Sequence, residues 1–266
     1  MIKAQFSQDR RIRMKRTTLQ RGDARLSIRD YGGDGRPHVL IHGLGFGQKS
    51  WTNLIAALGD RYRIITYDQR GHGASTQSSD YSWSSFVGDL EALISELALN
   101  NFVLVGHSLG AGLALDVASQ TSECRAVTMI DGAFPVELPP PDTSQFERIQ
   151  HNPLYPVLRS VARLRNRGLS MSLVDALAVA EKYRVQFANW EQALCRLACP
   201  AQYLLATEEV PGPNGPPAQA ARHTTAERAV TLNPLVKVQW IDAGHAMART
   251  HPHEVAKAVM ELEPKS

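Results

Sequence analysis

The sequence VLVGHSLGA, residues 103–111, decides the fold of this chain. A short, largely apolar run over residues 101–105 is typical of a buried strand, and residues 109–118 predict a helix rich in small side chains. Between them, the pattern G-x-S-x-G places Ser108 in a sharp turn from strand to helix. A β-carbon at Gly106 or Gly110 would collide with neighbouring backbone in such a turn. The turn would hold the Ser108 hydroxyl at the positive end of a helix, which predicts a nucleophilic serine.

Outward from this stretch, apolar runs alternate with segments of helical spacing. The predicted strands are residues 24–31, 39–42, 63–67, 101–105, 126–130, 201–206 and 236–241. The last predicted element is an amphipathic helix over residues 253–262, and the proline-rich residues 211–217 predict a loop. Strands that alternate with helices predict an α/β fold with a mostly parallel central sheet and helices on both faces.

The alternation stops after the strand that ends near Asp131. Residues 134–197 contain no clear strand and predict an inserted helical lid. The core is then expected over residues 21–133 and 198–266, which together are long enough to bury a sizeable interior. Basic residues cluster between positions 10 and 16, and we expect residues 1–20 to be a flexible, solvated segment.

Composition excludes several classes of protein. The 266 residues carry a net charge of +3, too small to predict a nucleic-acid partner, and no apolar stretch is long enough to predict a membrane partner. The odd number of cysteines lacks metal-ligand spacing, so we expect reduced thiols in a cytoplasmic protein and no metal: Cys124, Cys195 and Cys199. No dinucleotide or phosphate-loop pattern is present, so no organic cofactor is expected. The expected partner is a small-molecule substrate.

Four motifs together make the chain resemble the α/β-hydrolase family. They are His42-Gly43-Leu44-Gly45, the run from Asp68 to Ser75, Gly106-His107-Ser108-Leu109-Gly110 and Gly244-His245. They occur in the family's order, and each follows a predicted strand. The resemblance covers residues 39–133 and about 200–266, and it leaves out the expected lid.

The resemblance implies roles for particular residues. Ser108 would be the nucleophile, and His245 would be the base that takes its proton. The backbone N–H groups of Leu44 and Leu109 would form the oxyanion hole. The other histidines of these motifs are expected to pack or to form hydrogen bonds, since one base suffices: His42, His72 and His107.

The acid that would orient His245 has two candidates. The family usually places it after the strand at residues 201–206, where this sequence has Glu209. Some members place it one strand earlier, where Asp131 stands. We favour Asp131 because a short carboxylate on a strand end is held more rigidly than a glutamate beside a mobile loop.

The leading hypothesis is a serine hydrolase of a small carboxylic ester, thioester or lactone, acting through an acyl-enzyme. A C–C bond hydrolase or a haloperoxidase-like perhydrolase would use the same residues, whereas dehalogenases and epoxide hydrolases carry Asp where Ser108 stands. The alternative of another class is a non-catalytic ligand receptor on the same fold. Three aromatic residues are candidates to line the substrate pocket: Phe46, Phe134 and Trp190.

Overall fold

The computed structural model describes residues 14–134, 168–186, 190–208 and 215–263. In these residues, eight strands form one sheet in the order β1-β2-β4-β3-β5-β6-β7-β8. Their bounds are Lys15–Arg21 (β1), Ala24–Asp30 (β2), Pro37–Ile41 (β3), Arg63–Asp68 (β4), Phe102–His107 (β5), Cys124–Ile130 (β6), Ala201–Ala206 (β7) and Val236–Ile241 (β8). Strands β3 to β8 pair in parallel, and β1 and β2 pair antiparallel at one edge. The prediction of a mostly parallel sheet is therefore confirmed.

Helices cover both faces of this sheet. Their bounds are Thr52–Leu58 (α1), Trp83–Glu96 (α2), Leu109–Ala118 (α3), Leu173–Gln186 (α4), Trp190–Arg196 (α5), Gly215–Leu232 (α6), Met247–Thr250 (α7) and Pro252–Leu262 (α8). One buried apolar cluster includes Phe86 of α2 and Leu113 of α3. A second cluster includes Leu54 of α1 and Val255 of α8. Each face of the sheet thus has its own apolar layer, as the α/β prediction requires.

The basic N-terminal segment differs from its prediction. Residues 15–20, expected to be flexible, lie in β1, which pairs with β2 from Lys15 opposite Asp30 to Arg21 opposite Ala24. This strand is a partly exposed sheet edge, so its polar sequence lacks the apolar run that marks the buried strands. Residues 1–13 lie outside the described residues.

The loop predicted over residues 211–217 ends earlier than expected. Helix α6 begins at Gly215, so Pro216 and Pro217 lie in its first turn. First-turn N–H groups have no acceptor within a helix, which is why proline is tolerated there. Most of the expected lid, residues 135–167 and 187–189, lies outside the described residues, and its division from the core stays a prediction. Helices α4 and α5 fall within the range 134–197.

Among the residues described, the structure contains no helix with both the length and the apolar character needed to cross a bilayer.

Candidate active site

Ser108 occupies the strained turn that the sequence predicts. It lies between the end of β5 and the start of α3, with φ 54° and ψ −119°. Such a backbone conformation is rare for a residue with a side chain and costs about 1–3 kcal/mol. The Ser108 N–H donates to the Ile130 carbonyl at 2.9 Å, which fixes the turn against β6. The side chain is only partly buried, so the turn presents the hydroxyl at the carboxyl edge of the sheet.

The two glycines of the motif let the turn pack closely. A β-carbon at Gly106 would lie 2.1 Å from the Gly110 carbonyl oxygen, and one at Gly110 would lie 2.1 Å from the Ile41 carbonyl oxygen. Both distances are far shorter than any real contact, and in each case the neighbour is backbone. The motif therefore requires glycine at these positions for steric reasons, as the sequence predicts.

The loop after β3 packs directly against the nucleophile candidate. A β-carbon at Gly43 would lie 2.8 Å from the Ser108 β-carbon, so the backbone of this loop contacts the serine turn. The next residue is Leu44, one of the two predicted oxyanion donors. Leu109, the other, is the first residue of α3, where N–H groups lack acceptors within the helix. Leu44 and Leu109 thus belong to the two segments that contact or follow Ser108, and their role as oxyanion donors stays a prediction.

Buried histidines hold this loop by hydrogen bonds. His72 accepts from the Gly45 N–H at 3.2 Å through Nε2 and donates to the Arg70 carbonyl at 3.0 Å through Nδ1. His42 accepts from the Gln69 N–H at 3.0 Å in the same way. Each contact needs a neutral imidazole with one fixed tautomer. These positions agree with the packing and hydrogen-bonding role predicted for both residues.

The structure brings His245 and Asp131 together. His245 Nδ1 donates to Asp131 Oδ2 at 2.5 Å, and the Ala206 N–H donates to Asp131 Oδ1 at 3.2 Å. The Asp131 side chain is fully buried, whereas the His245 side chain is 41% exposed. Burial alone would raise the pKa of Asp131, but the hydrogen bond from His245 and the charge of Arg222 lower it below its ordinary value. The carboxylate is therefore ionised at neutral pH.

The loop that carries His245 lies beside the serine turn. His107 immediately precedes Ser108, and its Nε2 donates to the His245 carbonyl at 2.8 Å. The two imidazole rings lie 4.6 Å apart, measured between their centroids. Because Nδ1 of His245 donates to Asp131, Nε2 is the basic nitrogen of the neutral ring. The loop that carries this base therefore contacts the residue directly before the candidate nucleophile.

The two acid candidates differ in what the structure describes. Asp131 lies at the end of β6 in contact with His245, with φ 45°. Glu209 lies outside the described residues. Its neighbour Glu208 is exposed, and its N–H donates to the Ala243 carbonyl at 3.2 Å. The described contacts therefore favour Asp131 as the orienting acid.

Helix α4 contacts the serine turn through Tyr183. Its hydroxyl accepts from the Ala133 N–H at 2.9 Å and donates to the Ser108 carbonyl at 3.4 Å. Burial raises the pKa of Tyr183, so its hydroxyl keeps its proton and stays a donor. Ala133 has φ 63°, so the turn after β6 is strained where Tyr183 holds it. Tyr183 thus ties a segment of the expected lid to the site.

The three predicted pocket aromatics occupy different surroundings. Phe46 lines a cleft of about 220 Å³ beside the loop after β3, and its ring packs edge-on against His107 at 5.1 Å. Phe134 and Trp190 are each 5% exposed and belong to the main apolar core. Of the three, Phe46 borders an open cleft near the site, and the other two contribute to core packing.

The buried histidines predict a loss of stability in weak acid. Burial lowers the pKa of His42 to about 4; burial and neighbouring histidines lower that of His72 and His107 to about 3. A histidine in the unfolded chain has a pKa near 6.5. The contribution of the neutral buried rings to folding stability is therefore fully present above that pH, and it is lost as the pH drops toward 3. We expect the urea midpoint to fall from pH 7 to pH 5. The free energy of unfolding should decrease by up to about 1.4 kcal/mol per pH unit for each histidine.

The range of pH 7 to 5 avoids most carboxyl titrations, whose ordinary pKa values lie near 4. The exposed His253 provides a matched control, and His253→Gln should leave the slope unchanged. His72→Gln should reduce it. A midpoint that stays constant from pH 7 to pH 5 would contradict the buried, neutral state of these rings.

A family model described as "Alpha/beta hydrolase family" matches residues 39–258, well over half of the chain. The chain belongs to the alpha/beta hydrolase family. This alpha/beta hydrolase is similar to the non-heme chloroperoxidase CPO-A1 of Kitasatospora aureofaciens, at 39% identity over 108 residues. That match covers 39% of this chain and 39% of the relative, so the chain spans well under two thirds of that protein's length.

Two solved structures resemble the alpha/beta hydrolase over nearly its whole length. The enol-lactonase from Burkholderia xenovorans LB400 has a TM-score of 0.72 at 16% identity, covering 92% of this chain and 99% of that one. The bromoperoxidase from Bacillus anthracis has a TM-score of 0.68 at 23% identity, covering 93% and 99%. At these identities the likeness shows the fold. The family match supports a hydrolase enzyme over the non-catalytic receptor.

One residue in contact with the candidate triad was not predicted from the sequence. Arg222 of α6 donates through Nη2 to Asp131 Oδ2 at 3.0 Å, and both side chains are buried. It lies in no motif and is distant in sequence from the residues it contacts. In the part of the chain that the structure describes, no group of three or more potential ligands is arranged to hold a metal ion.

Proposed function

We propose that this alpha/beta hydrolase cleaves a small carboxylic ester, thioester or lactone through an acyl-enzyme, with Ser108 as nucleophile, His245 as base and Asp131 as acid. The observation that carries the proposal is the strained Ser108 turn together with His245, whose loop contacts the adjacent His107 and whose ring is hydrogen-bonded to a buried carboxylate at 2.5 Å. Backbone strain of this kind persists only where the surrounding structure enforces it, and it concentrates at functional sites. Serine is a poor nucleophile at neutral pH unless such a base lies beside it.

In the first half of the reaction, His245 Nε2 takes the proton from the Ser108 hydroxyl as Oγ bonds to the carbonyl carbon of the substrate. The N–H groups of Leu44 and Leu109 stabilise the oxyanion that forms, and each such donor contributes about 3 kcal/mol. The bond to the leaving alkoxide or thiolate breaks, and the imidazolium returns the proton to that group. The product is an ester of Ser108.

In the second half, water replaces the leaving group. His245 takes a proton from this water, whose oxygen bonds to the acyl carbon, and the bond to Ser108 Oγ breaks with the proton returned to that oxygen. Asp131 keeps Nδ1 protonated throughout, so that Nε2 remains the nitrogen that accepts and donates. Free acid and free enzyme result.

The names of relatives favour perhydrolysis as a second candidate function. One sequence relative is named a non-heme chloroperoxidase and one structural neighbour a bromoperoxidase. Hydrogen peroxide would attack the same acyl-Ser108 in place of water, releasing a peracid and restoring the serine hydroxyl. This peracid would then oxidise bromide in solution, so no metal step is needed in this account.

A substrate panel tests the proposal and separates the two candidates. We expect release of p-nitrophenolate from acetate and butyrate esters at neutral pH, and hydrolysis of an aryl thioester and a simple lactone in the same panel. Ser95 on α2 is exposed and belongs to none of the four motifs, and Ser95→Ala should retain the wild-type rate. If Ser108→Ala and wild type hydrolyse every member at equal rates, the proposal is wrong.

The perhydrolase arm uses acetate and hydrogen peroxide with bromide and a halogen acceptor. Bromination that depends on both acetate and Ser108 would identify perhydrolysis as an activity of the same site. If no bromination occurs while the esters are cleaved, water is the acyl acceptor and this second candidate is excluded.

A further inference from the structure

The Asp131 carboxylate contacts two cationic or potentially cationic side chains through one oxygen. Oδ2 accepts from His245 Nδ1 at 2.5 Å and from Arg222 Nη2 at 3.0 Å. Asp131 is 0% exposed and Arg222 3% exposed at the side chain, so water barely screens their interaction. Arg222 is therefore a permanent buried counter-ion for the candidate triad acid.

Other contacts fix the Arg222 guanidinium in place. Its Nη1 donates to Gln219 Oε1 at 3.0 Å and lies 3.4 Å from the Glu208 carbonyl oxygen. The Phe134 ring centroid lies 5.9 Å from the guanidinium carbon. These partners lie on α6, after β7 and after β6. The guanidinium thus links the end of β6, which carries the acid, to the end of β7, where the Glu208 N–H donates to the loop that carries the base.

The resting state of the proposed reaction needs such a counter-ion. His245 must be neutral before it can take the Ser108 proton, and a buried Asp131 would then be an anion with no ionic partner. Such a carboxylate would favour a protonated imidazole beside it, and a protonated imidazole is no base. A fixed positive charge on the other side of Asp131 removes this preference.

We infer that Arg222 is a positioning residue, which keeps the Asp131 carboxylate charged and oriented while His245 is neutral. This inference rests on the proposed function. Arg222 acts through Asp131 rather than on the substrate, so its removal is expected to change turnover and pH dependence more than substrate affinity. The burial and hydrogen bonding described above supply the geometry, and the lowered pKa of Asp131, opposed by burial, agrees with it.

Other ionisable groups face the same pair. His107 from β5 lies against His245, but burial and the neighbouring His245 lower its pKa to about 3, below the pH range of 5 to 9 used in the test. Burial raises the pKa of Tyr183, on α4, so that this hydroxyl stays protonated throughout the same range. Glu208 after β7 approaches the base loop: a β-carbon at Gly244 would lie 2.6 Å from its Oε2. Glu208→Gln therefore belongs among the variants.

The test measures how the rate of inactivation by a fluorophosphonate depends on pH between 5 and 9. This probe reports the nucleophilicity of Ser108 without knowledge of the substrate: an oxygen–phosphorus bond forms, fluoride leaves and His245 takes the proton. For Arg222→Gln and Arg222→Met, we expect the acid limb to move to higher pH by about one pH unit, allowing for the partial exposure of His245. The plateau rate should fall by about 10- to 100-fold, because the acid is misplaced.

Arg222→Lys separates charge from geometry. Lysine keeps the positive charge without the planar fork, so the acid limb should stay near the wild-type position while the plateau falls. Arg228 lies on the same helix, is 51% exposed and pairs with Glu191 on the surface. Arg228→Gln is the matched control and should change neither quantity. Rates are divided by the folded fraction from circular dichroism.

Each outcome decides one claim. A wild-type protein that does not react with the fluorophosphonate overturns the proposed function itself. If wild type reacts and the profiles of Arg222→Gln and Arg222→Met coincide with its own, the inference about Arg222 is wrong and the proposed function stands. If Arg222→Met does not fold, Arg222→Lys against Arg222→Gln decides, and equal acid limbs in these two variants contradict the inference. A shift produced equally by Glu208→Gln would also contradict it.

Discussion

Replacement of Ser108 by Ala is expected to lower the turnover of p-nitrophenyl butyrate by about 10⁵- to 10⁶-fold. The hydroxyl is the atom that forms the acyl-enzyme, and no other described group takes its place in the turn. The loss should appear in kcat, because the substitution leaves the substrate cleft and the oxyanion donors intact. The measurement is steady-state release of p-nitrophenolate at neutral pH, with substrate above its KM.

Two controls accompany this measurement, the thermal midpoint of the Ser108→Ala variant and the turnover of a Ser95→Ala variant. The alanine introduced by Ser108→Ala must adopt the same strained backbone as the serine, so the thermal midpoint of the variant should lie close to that of wild type. Ser95→Ala should retain full turnover, since Ser95 lies exposed on α2. Turnover within ten-fold of wild type in a folded Ser108→Ala protein would mean that another residue attacks the substrate.

Asp131→Asn is expected to lower turnover by about 10⁴-fold. The side-chain amide that this substitution introduces can donate to Nδ1 of His245, which would move the ring proton to Nε2 and leave no basic nitrogen next to Ser108. The substitution also removes the charge that Arg222 pairs with, and a buried ion left without its partner costs about 3–5 kcal/mol. The folded fraction must therefore be measured with the rate.

Glu209→Gln is the decisive partner of this experiment. We expect it to retain near-normal turnover, and Glu208→Gln likewise, because the described carboxylate that accepts from His245 Nδ1 is that of Asp131. The reverse pattern, with Asp131→Asn active and Glu209→Gln inactive, would move the acid one strand along the sheet.

Much of the fold could be predicted because its central strands are apolar and its motifs are local. Strands β7 and β8 coincide with their predicted runs, and β3 to β6 with theirs to within about two residues. The serine turn could be predicted for a steric reason: only glycine fits beside the Gly110 and Ile41 carbonyl oxygens. Such constraints act over a few residues and leave a pattern in the sequence.

Elements stabilised by distant contacts could not be predicted in this way. Strand β1 has the polar sequence KRTTLQR and depends on pairing with β2. Helix α6 follows a run of prolines and glycines, so local rules favour a loop over its first turn. For β1, tertiary pairing overrides local propensity, whereas for α6 prolines are compatible both with a loop and with a first helical turn, so the local pattern does not fix where the helix begins.

The identity of the acid and that of its counter-ion also depend on contacts between residues that are far apart in the sequence. In the sequence, Asp131 and Glu209 each come shortly after one of two strands that pair in parallel, and no local pattern separates the two candidates. Arg222 is separated from Asp131 by 91 positions, and an arginine within a helix is ordinarily a solvated residue. Only the assembled structure brings the three side chains of Asp131, Arg222 and His245 together.

The central claim is that Ser108 is the nucleophile and His245 the base that activates it. The most direct measurement is peptide mapping by mass spectrometry after treatment with a fluorophosphonate at neutral pH. The account predicts one adduct, on the tryptic peptide that contains Ser108, absent from Ser108→Ala and formed far more slowly in His245→Ala. An adduct on any other residue, or labelling of Ser108 at the same rate without His245, would contradict it.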